Sequence, residues 1–462
     1  MISILAKYKT DFRLNTKLAL PIMAGQLGQT AVAVADNVMV GKLGATALAA
    51  VSFAIALFAV FFVVGMGISF ALPPLVSEAD GAGDHQSVST YFKHSLLLNT
   101  ALSIVFLGLI LLGIPLLDYM GQDPDVVVLA KEYLVFTAWS IVPYMIFQAF
   151  RCYCDGMSET LAPMIVIITG NALNIVLNYL LIFGHWGFPA MGVEGAALAS
   201  LIARIVMVIA LIGLMIRWKD LWSHIAACDF SRYEVPLFQK LLQLGIPTSG
   251  QMFFEVSAFS GAAIITGMIS KDAQAAHQVA INLASITFMI ITGLAMASTI
   301  RVGNQLGKKS KQGIQDAGHS ALIQVAVIMT AFAAMFVLLR DLLPLIYIDD
   351  IEVVSLASTL LICAAIFQLP DGIQVTAQSA LRGLQDVKVP TLVTFVSYWL
   401  IGIPFSYISA IHYGMGAVGV WIGLILGLSI SAILLTRRFT KLAASWSPPA
   451  GVDSLQDTVI EG

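Results

Sequence analysis

Three carboxylates stand inside long apolar runs of this chain: Asp36 in VAVADNVMVG, Glu255 in QMFFEVSAFSG and Asp371 in FQLPDGIQ. A charge at the centre of a bilayer costs at least about 2.5–3.5 kcal/mol on insertion scales, so acids retained there are candidates for function. Amides accompany the first of them. Asn171, Asn174 and Asn178 in ITGNALNIVLNYLLIF are spaced by three, four and seven, which puts them on one helical face. Counting 1.5 Å per residue back from the glycines at the outer helix ends, Gly41 and Gly184, places Asp36, Asn174 and Asn178 at similar depth. A carboxylate among amide oxygens suits a proton or a hard cation such as Na⁺.

In the second half, Pro370 precedes Asp371, removes a backbone hydrogen bond and leaves a carbonyl open to a ligand. Gln278 and Asn282 in AAHQVAINLAS are four apart and can add amide groups to the same cavity. A Na⁺ ion therefore has two candidate sites, one at Glu255 and Asp371, the other at Asp36, Asn174 and Asn178. Plainer uses stand beside these: Asp36 snorkelling to the surface, Asp371 satisfying a kinked helix, and the amides bonding neighbouring helices. Arg204, in the sixth apolar run, is expected to reach backbone carbonyls or a carboxylate, and His277 to sit at the membrane interface.

The elements that position these residues follow from composition. Of 462 residues, 58% are hydrophobic and 11% charged, with mean hydropathy +0.89, which is a polytopic membrane protein. A net charge of −3 gives no nucleic-acid footprint. Runs long enough to cross the hydrocarbon core number twelve: 14–40, 46–77, 94–117, 131–153, 160–183, 192–216, 240–268, 274–300, 318–346, 353–380, 389–411 and 415–437. With the N-terminus assigned inside, 19 Lys and Arg fall on inside segments and 4 outside, so the even count and cytoplasmic termini support one another. The short apolar start lacks a cleavage site, so the first helix is expected to direct insertion without a signal peptide.

Internal matches recur in order: Gly25-Gln26 with Gly250-Gln251, Gly156 and Pro163 with Gly383 and Pro390, and MGVEG from Met191 with MGAVG from Met415. They divide the chain into two six-helix lobes, residues 1–225 with the start of a cytoplasmic linker and 226–444. An even helix count per half makes the repeat parallel. Residues 445–462, polar, acidic and proline-containing, read as a disordered cytoplasmic tail. The fold class expected is all-α integral membrane. The four cysteines are too few and scattered for a disulfide framework or a zinc site. GMGAVG has the spelling of a dinucleotide loop but follows no strand, and no HExxH, GxSxG or Walker sequence occurs, so enzymatic or ATP-driven chemistry is not expected.

The runs LALPIMAGQLGQTAVAVADNVMVGKLGATALAAVSF, AAHQVAINLASITFMIITGLAMASTIRVGNQLG and QSALRGLQDVKVPTLV resemble the multidrug and toxic compound extrusion (MATE) family, in particular its NorM-type branch, across almost the whole chain. The resemblance implies cation-coupled antiport of diverse organic cations and zwitterions, with coupling roles at Asp36, Glu255 and Asp371 and with Asn174 and Asn178 beside the first. Where some NorM-like members carry tyrosine one turn before the tenth-helix aspartate, this chain has Phe367, which removes a hydroxyl and leaves H⁺ open beside Na⁺. The resulting expectation is a monomeric multidrug exporter of the inner membrane, in contact with lipid, with no cofactor beyond its coupling ion. A lipid-linked oligosaccharide flippase of similar twin-bundle shape is the alternative. Such a flippase would line its cavity with several cations, and only Arg204 qualifies.

Overall fold

The computed structural model describes residues 7–226 and 228–448, without the side chains of Lys219 and Asp220. Among the described residues, twelve helices are long and apolar enough to cross a membrane: α1 (Lys9–Gly41), α2 (Ala45–Gly81), α3 (His85–Tyr119), α4 (Pro124–Gly156), α5 (Leu161–Phe183), α6 (Gly192–Arg217), α7 (Val235–Ile269), α8 (Lys271–Gly307), α9 (Lys311–Leu338), α10 (Ile351–Gly383), α11 (Lys388–His412) and α12 (Gly416–Ser445). A short helix, Lys219–Ala226, lies in the linker. Of the expected tail, Ser445 still belongs to α12, and everything from residue 449 on lies outside the described residues.

Helix ends differ from the hydropathy reading where polar caps rather than apolar content decide them. Helix α3 starts at His85, nine residues before the expected 94, because Asp84 caps it by accepting from the Ser87 hydroxyl and N–H. Those two bonds, the hydroxyl's first, hold the Asp84 carboxyl below the usual carboxylate range. Helix α9 stops at Leu338 instead of 346: Arg340 and Asp341 follow, and Pro344 opens a separate 3₁₀ turn. Within α2 the regular helix breaks at Phe70 and Ala71, since Pro73 and Pro74 have no N–H to give the preceding turn. In GMGAVG, Gly414 and Gly416 adopt φ of +66° and +58°, and a Cβ at Gly419 would meet Ala410 N at 2.7 Å. The glycines there make a turn and a close helix contact, with no phosphate loop.

Large apolar clusters belong to one half each. One gathers Ala54, Phe106, Ile141 and Ala197 of the first half, another Ala258, Ala280, Leu361 and Trp421 of the second. Smaller clusters cross between halves, Ala19 with Leu294 and Met329, and Leu75 with Leu244. The crossing pairs include α1 against α8 and α2 against α7, which exchange under the repeat, and α2 against α8, which maps onto itself. That is the signature of two parallel six-helix lobes about an axis along the membrane normal.

Both described chain ends lie at one end of the bundle, where Lys7 pairs with Asp316 at 3.4 Å and Gln315 Nε2 donates to the Ala443 carbonyl at 3.2 Å. The lobes close against each other there. Asn304 Nδ2 on α8 donates to Asp80 on α2 at 3.0 Å, Gln385 bonds Glu78, and Arg301 bonds Asp11 and Asn15 on α1. Backbones approach so closely that a Cβ at Gly303 would strike Ser77 Oγ, and one at Gly307 would strike the Glu78 carbonyl.

Candidate functional site

Two polar sites occupy the two lobes. In the first, Asn178 on α5 donates to Asp36 on α1 and, at 3.0 Å, to Asn174 Oδ1 one turn away. Asn174 in turn donates to Ser200 Oγ on α6 at 3.2 Å. The helical spacing of four thus does what depth counting implied: it brings both amides beside the carboxylate. Asn178 is fully buried and its Oδ1 has no partner, and neither has Asn171 Nδ2. These atoms border or adjoin a cavity of about 450 Å³ between α1, α2, α4, α5 and α6, lined by Asp36, Asn171, Asn174, Tyr133, Tyr144 and Arg204 among others.

Arg204 departs from expectation. Its Nη1 donates to Ser140 Oγ at 2.6 Å, and its guanidinium lies 5.3 Å from the Tyr144 ring and 5.7 Å from that of Phe58. Among the described residues no backbone carbonyl or carboxylate takes it. Ser140 is fully buried on α4, which packs against α6.

The second site joins α7, α10 and α11. Glu255 Oε1 on α7 accepts from Gln374 Nε2 at 2.7 Å and from Gln378 Nε2 at 2.8 Å, both on α10. Gln378 also donates to Thr394 Oγ1 at 3.0 Å, and the Tyr398 hydroxyl on α11 donates to Gln374 Oε1 at 3.2 Å. Asp371 is 4% exposed and receives no hydrogen bond from the described residues, yet Glu255 lies close enough for their charges to interact. Among the described residues no lysine or arginine stands within ion-pair distance of either acid. A carboxylate pair without such a partner, Asp371 buried and Glu255 half-buried, has the chemistry to take up a proton or a cation.

Sequence reasoning missed Gln374, Gln378 and Tyr398. The signal for the glutamines was present, since they follow Asp371 by three and seven on one face of α10. Tyr398 carried none: it lies in a π-helical stretch, Val396–Gly402, whose wider turn rotates the face that a regular helix would present. It restores near the acids a hydroxyl that Phe367 lacks. Phe367 itself is 2% exposed, packed edge-on against Trp421 at 5.5 Å and Phe259 at 6.0 Å.

Gln278 and Asn282 do not join the acids. Gln278 Nε2 donates to Asn282 Oδ1 at 3.1 Å and Gln278 is exposed, because the inward stripe of α8 is Ala276, Val279, Ala280 and Leu283. Thr287 on that inward side meets α10 instead, bonded to Gln368. His277, expected at the interface, is 1% exposed and faces Trp421 at 5.8 Å, since α8 begins three residues earlier than the hydropathy reading placed it. Among the described residues no cluster of three or more His, Cys, Asp or Glu forms a metal site.

Comparison with known proteins agrees with this architecture. The MatE family model matches residues 21–180 and 247–408, one match in each lobe. The chain is 36% identical over 440 residues to the probable multidrug resistance protein NorM of Rhizobium meliloti (strain 1021), covering 94% of each. It is 33% identical over 435 residues to the multidrug resistance protein NorM of Photobacterium profundum, covering 93% of this chain and 95% of that one. Among solved structures, an outward-facing multidrug resistance MATE family transporter of the MOP superfamily superposes with TM-score 0.87 at 21% identity, over 94% of this chain and 96% of that one. The eukaryotic MATE transporter AtDTX14 does so with TM-score 0.83 at 21% identity, over 95% and 98%.

Proposed function

Because this chain belongs to the MatE family, we propose that it is a multidrug exporter which couples outward movement of organic cations or zwitterions to inward flux of Na⁺ or H⁺. It works by alternating access of a cleft between its lobes. The relatives carry transporter names, not enzyme names. The end of the bundle that holds both described chain ends is the cytoplasmic one, the membrane is the inner membrane, and the transporting unit is a single chain.

The observation that carries the reading is the second-lobe site: Asp371, buried, and Glu255, half-buried, lie side by side and no Lys or Arg among the described residues pairs with either directly, Arg382 on α10 acting on Glu255 only from a distance. Loading that site with Na⁺ or H⁺ relieves the repulsion, and the loaded site favours the arrangement that releases the drug. Gln374, Gln378 and Tyr398 hold the acids in place through the bonds to Glu255 and to Gln374. Asp36, with Asn174 and Asn178, either carries an ion as well or responds to the one bound in the other lobe. The lobes, closed at the cytoplasmic end by the α2–α8 contact, then part there to take up the next substrate.

Reconstituted protein, given a Na⁺ gradient and a pH gradient separately, tests this through efflux of a fluorescent organic cation. Efflux should follow one or both gradients and fall in Asp36→Asn, Glu255→Gln and Asp371→Asn at normal protein levels. Undiminished gradient-driven efflux in all three variants would refute the coupling scheme.

A further inference from the structure

A second cavity, apart from the carboxylates of both lobes, opens where α3 begins. It measures about 830 Å³ and lies between the first turns of α3 and the linker that joins the lobes, with His85 and Lys93 on one wall and His224, Asp229, Arg232 and Glu234 on the other. The linker is stapled to the first lobe around it. Ser89 Oγ donates to the His224 carbonyl at 2.8 Å, the Tyr153 hydroxyl to the Leu221 carbonyl at 2.9 Å, and the Glu234 N–H to His94 Nε2 at 2.9 Å. Lys93 is 8% exposed, donates to the Asp229 carbonyl at 2.8 Å and stands 5.6 Å from the Tyr233 ring, and among the described residues it pairs with no carboxylate. The Asp229 carboxylate turns instead to the Ser231 hydroxyl at 2.6 Å and to Arg232 at 3.8 Å. A buried ammonium with donors to spare calls for an anionic partner. Beyond the cavity the same face of α3 turns apolar: Gln86, Thr90 and Lys93 line the space, and their spacing of four and three continues through Leu97, Ala101 and Ile104, all exposed. The apolar run of α3 opens at residue 94, so Lys93 marks the level at which headgroups give way to hydrocarbon. A polar pocket at that level, heading an exposed apolar stripe, has the outline of a phospholipid.

We propose that this cavity seats the headgroup of an aminophospholipid of the phosphatidylethanolamine class, drawn from the leaflet on that side of the membrane. Lys93 takes a phosphate oxygen from the inner wall, and Arg232, whose side chain is 88% exposed, closes on the phosphate from the water side. Asp229 and Glu234 face the ammonium, and one acyl chain lies along Leu97, Ala101 and Ile104. The lining selects the class. Its two fixed cations, Lys93 and Arg232, are matched by two carboxylates, so an anionic headgroup would answer the cations and leave both acids unmatched. His85 Nδ1 and His224 Nε2 bond each other at 2.8 Å and shape the wall between. The occupied site braces the linker against α3, and it holds whether or not the chain exports drugs.

Native mass spectrometry of the purified full chain, titrated with dioleoylphosphatidylethanolamine, dioleoylphosphatidylglycerol and water-soluble glycerophosphoethanolamine, separates the cases. The first ethanolamine lipid should bind about tenfold more tightly than the first glycerol lipid, and the soluble headgroup, which lacks acyl chains, should not bind at the same concentration. Lys93→Met should weaken the ethanolamine lipid by about tenfold, and Lys93→Arg should retain most of its binding. Asp229→Asn should weaken the ethanolamine lipid by about fivefold and leave the glycerol lipid within about twofold. If Lys93→Met does not fold, Arg232→Gln, at an exposed side chain, should still cost about threefold. Equal affinity of the wild-type protein for the two lipids, or ethanolamine-lipid binding indifferent to the substitutions at Lys93, Asp229 and Arg232, overturns the proposal. Glycerophosphoethanolamine bound as tightly as the lipid overturns it too, since the occupant would then be a free phosphate ester.

Discussion

The two lobes present polar side chains at repeat-related positions and fill those positions with different chemistry. Pro143 and Pro370 lie 227 residues apart inside α4 and α10, and the residue after each is Tyr144 in the first lobe and Asp371 in the second. The same offset relates Asn171 on α5 to Tyr398 on α11. At the proline pair a duplicated backbone puts different side chains in one place, while at the second pair the π-helical turn of α11 re-aims Tyr398 relative to its counterpart. The first lobe has one acid, one arginine and room for an organic molecule. The second has two acids against one arginine, Arg382, whose charge acts on Glu255, and Phe367, Tyr398 and Trp421 pack buried beside them. On the function proposed above, the surplus negative charge of the second lobe suits an ion, and the cavity of the first suits a larger ligand.

The largest effect should come from removing that charge excess. Asp371→Asn or Glu255→Gln should each lower gradient-driven efflux by about tenfold to a hundredfold, as loss of a charged ligand to a bound cation does. Combining them should add little, because the two acids act as one site. Efflux assays at fixed protein density, with Na⁺ or H⁺ dependence as the readout, check this. If instead Asp36→Asn abolished the ion dependence and Asp371→Asn left it intact, the roles assigned to the lobes would be reversed.

Next in size is the contact between lobes. A Cβ at Gly303 would strike Ser77 Oγ, so Gly303→Val should disfavour closure at the end holding both described chain ends by about 1–3 kcal/mol, roughly a tenfold shift in the open-to-closed ratio. Spin labels at Gln86 and Lys311, both exposed at that end, should gain a longer distance population in the variant. A single unchanged distance would show that the glycine does not limit closure.

How far these sites were legible in the sequence depends on which energy wrote them. Asp36, Glu255 and Asp371 stood out because bilayer insertion penalises charge regardless of neighbours, and the same penalty marked all twelve spans. The pairing of Asp36 with Asn178 followed from helical depth and rotation, both regular in α1 and α5. Rotation failed as a guide elsewhere. Gln278 shares a helix with residues that face the core and points away from them, and Tyr398 depends on a π-helical turn that hydropathy does not encode. Helix ends such as that of α9 were set by proline and charge beyond the apolar run, to which a hydropathy window is blind.

Tyr398→Phe probes the ion site more gently. Losing the hydroxyl's bond to Gln374 Oε1 leaves one buried acceptor short of a donor, and about 1 kcal/mol is the usual scale, so coupling-ion affinity should fall roughly fivefold. The apparent Na⁺ or H⁺ affinity in the efflux assay measures it. An unchanged affinity would mean that Gln374 holds Glu255 without help from α11.

The smallest expected change belongs to Gln278→Ala. Gln278 bonds only Asn282, is exposed, and touches neither acid, so efflux should stay within about twofold and stability within about 0.5 kcal/mol. The value of so small a prediction lies in its failure. If Gln278→Ala impaired export of organic cations as strongly as Tyr398→Phe impairs ion affinity, organic substrate would have to pass the exposed face of α8 that carries Gln278. The second lobe would then handle both ion and drug, and the division between an ion-binding lobe and a substrate-binding lobe would not hold.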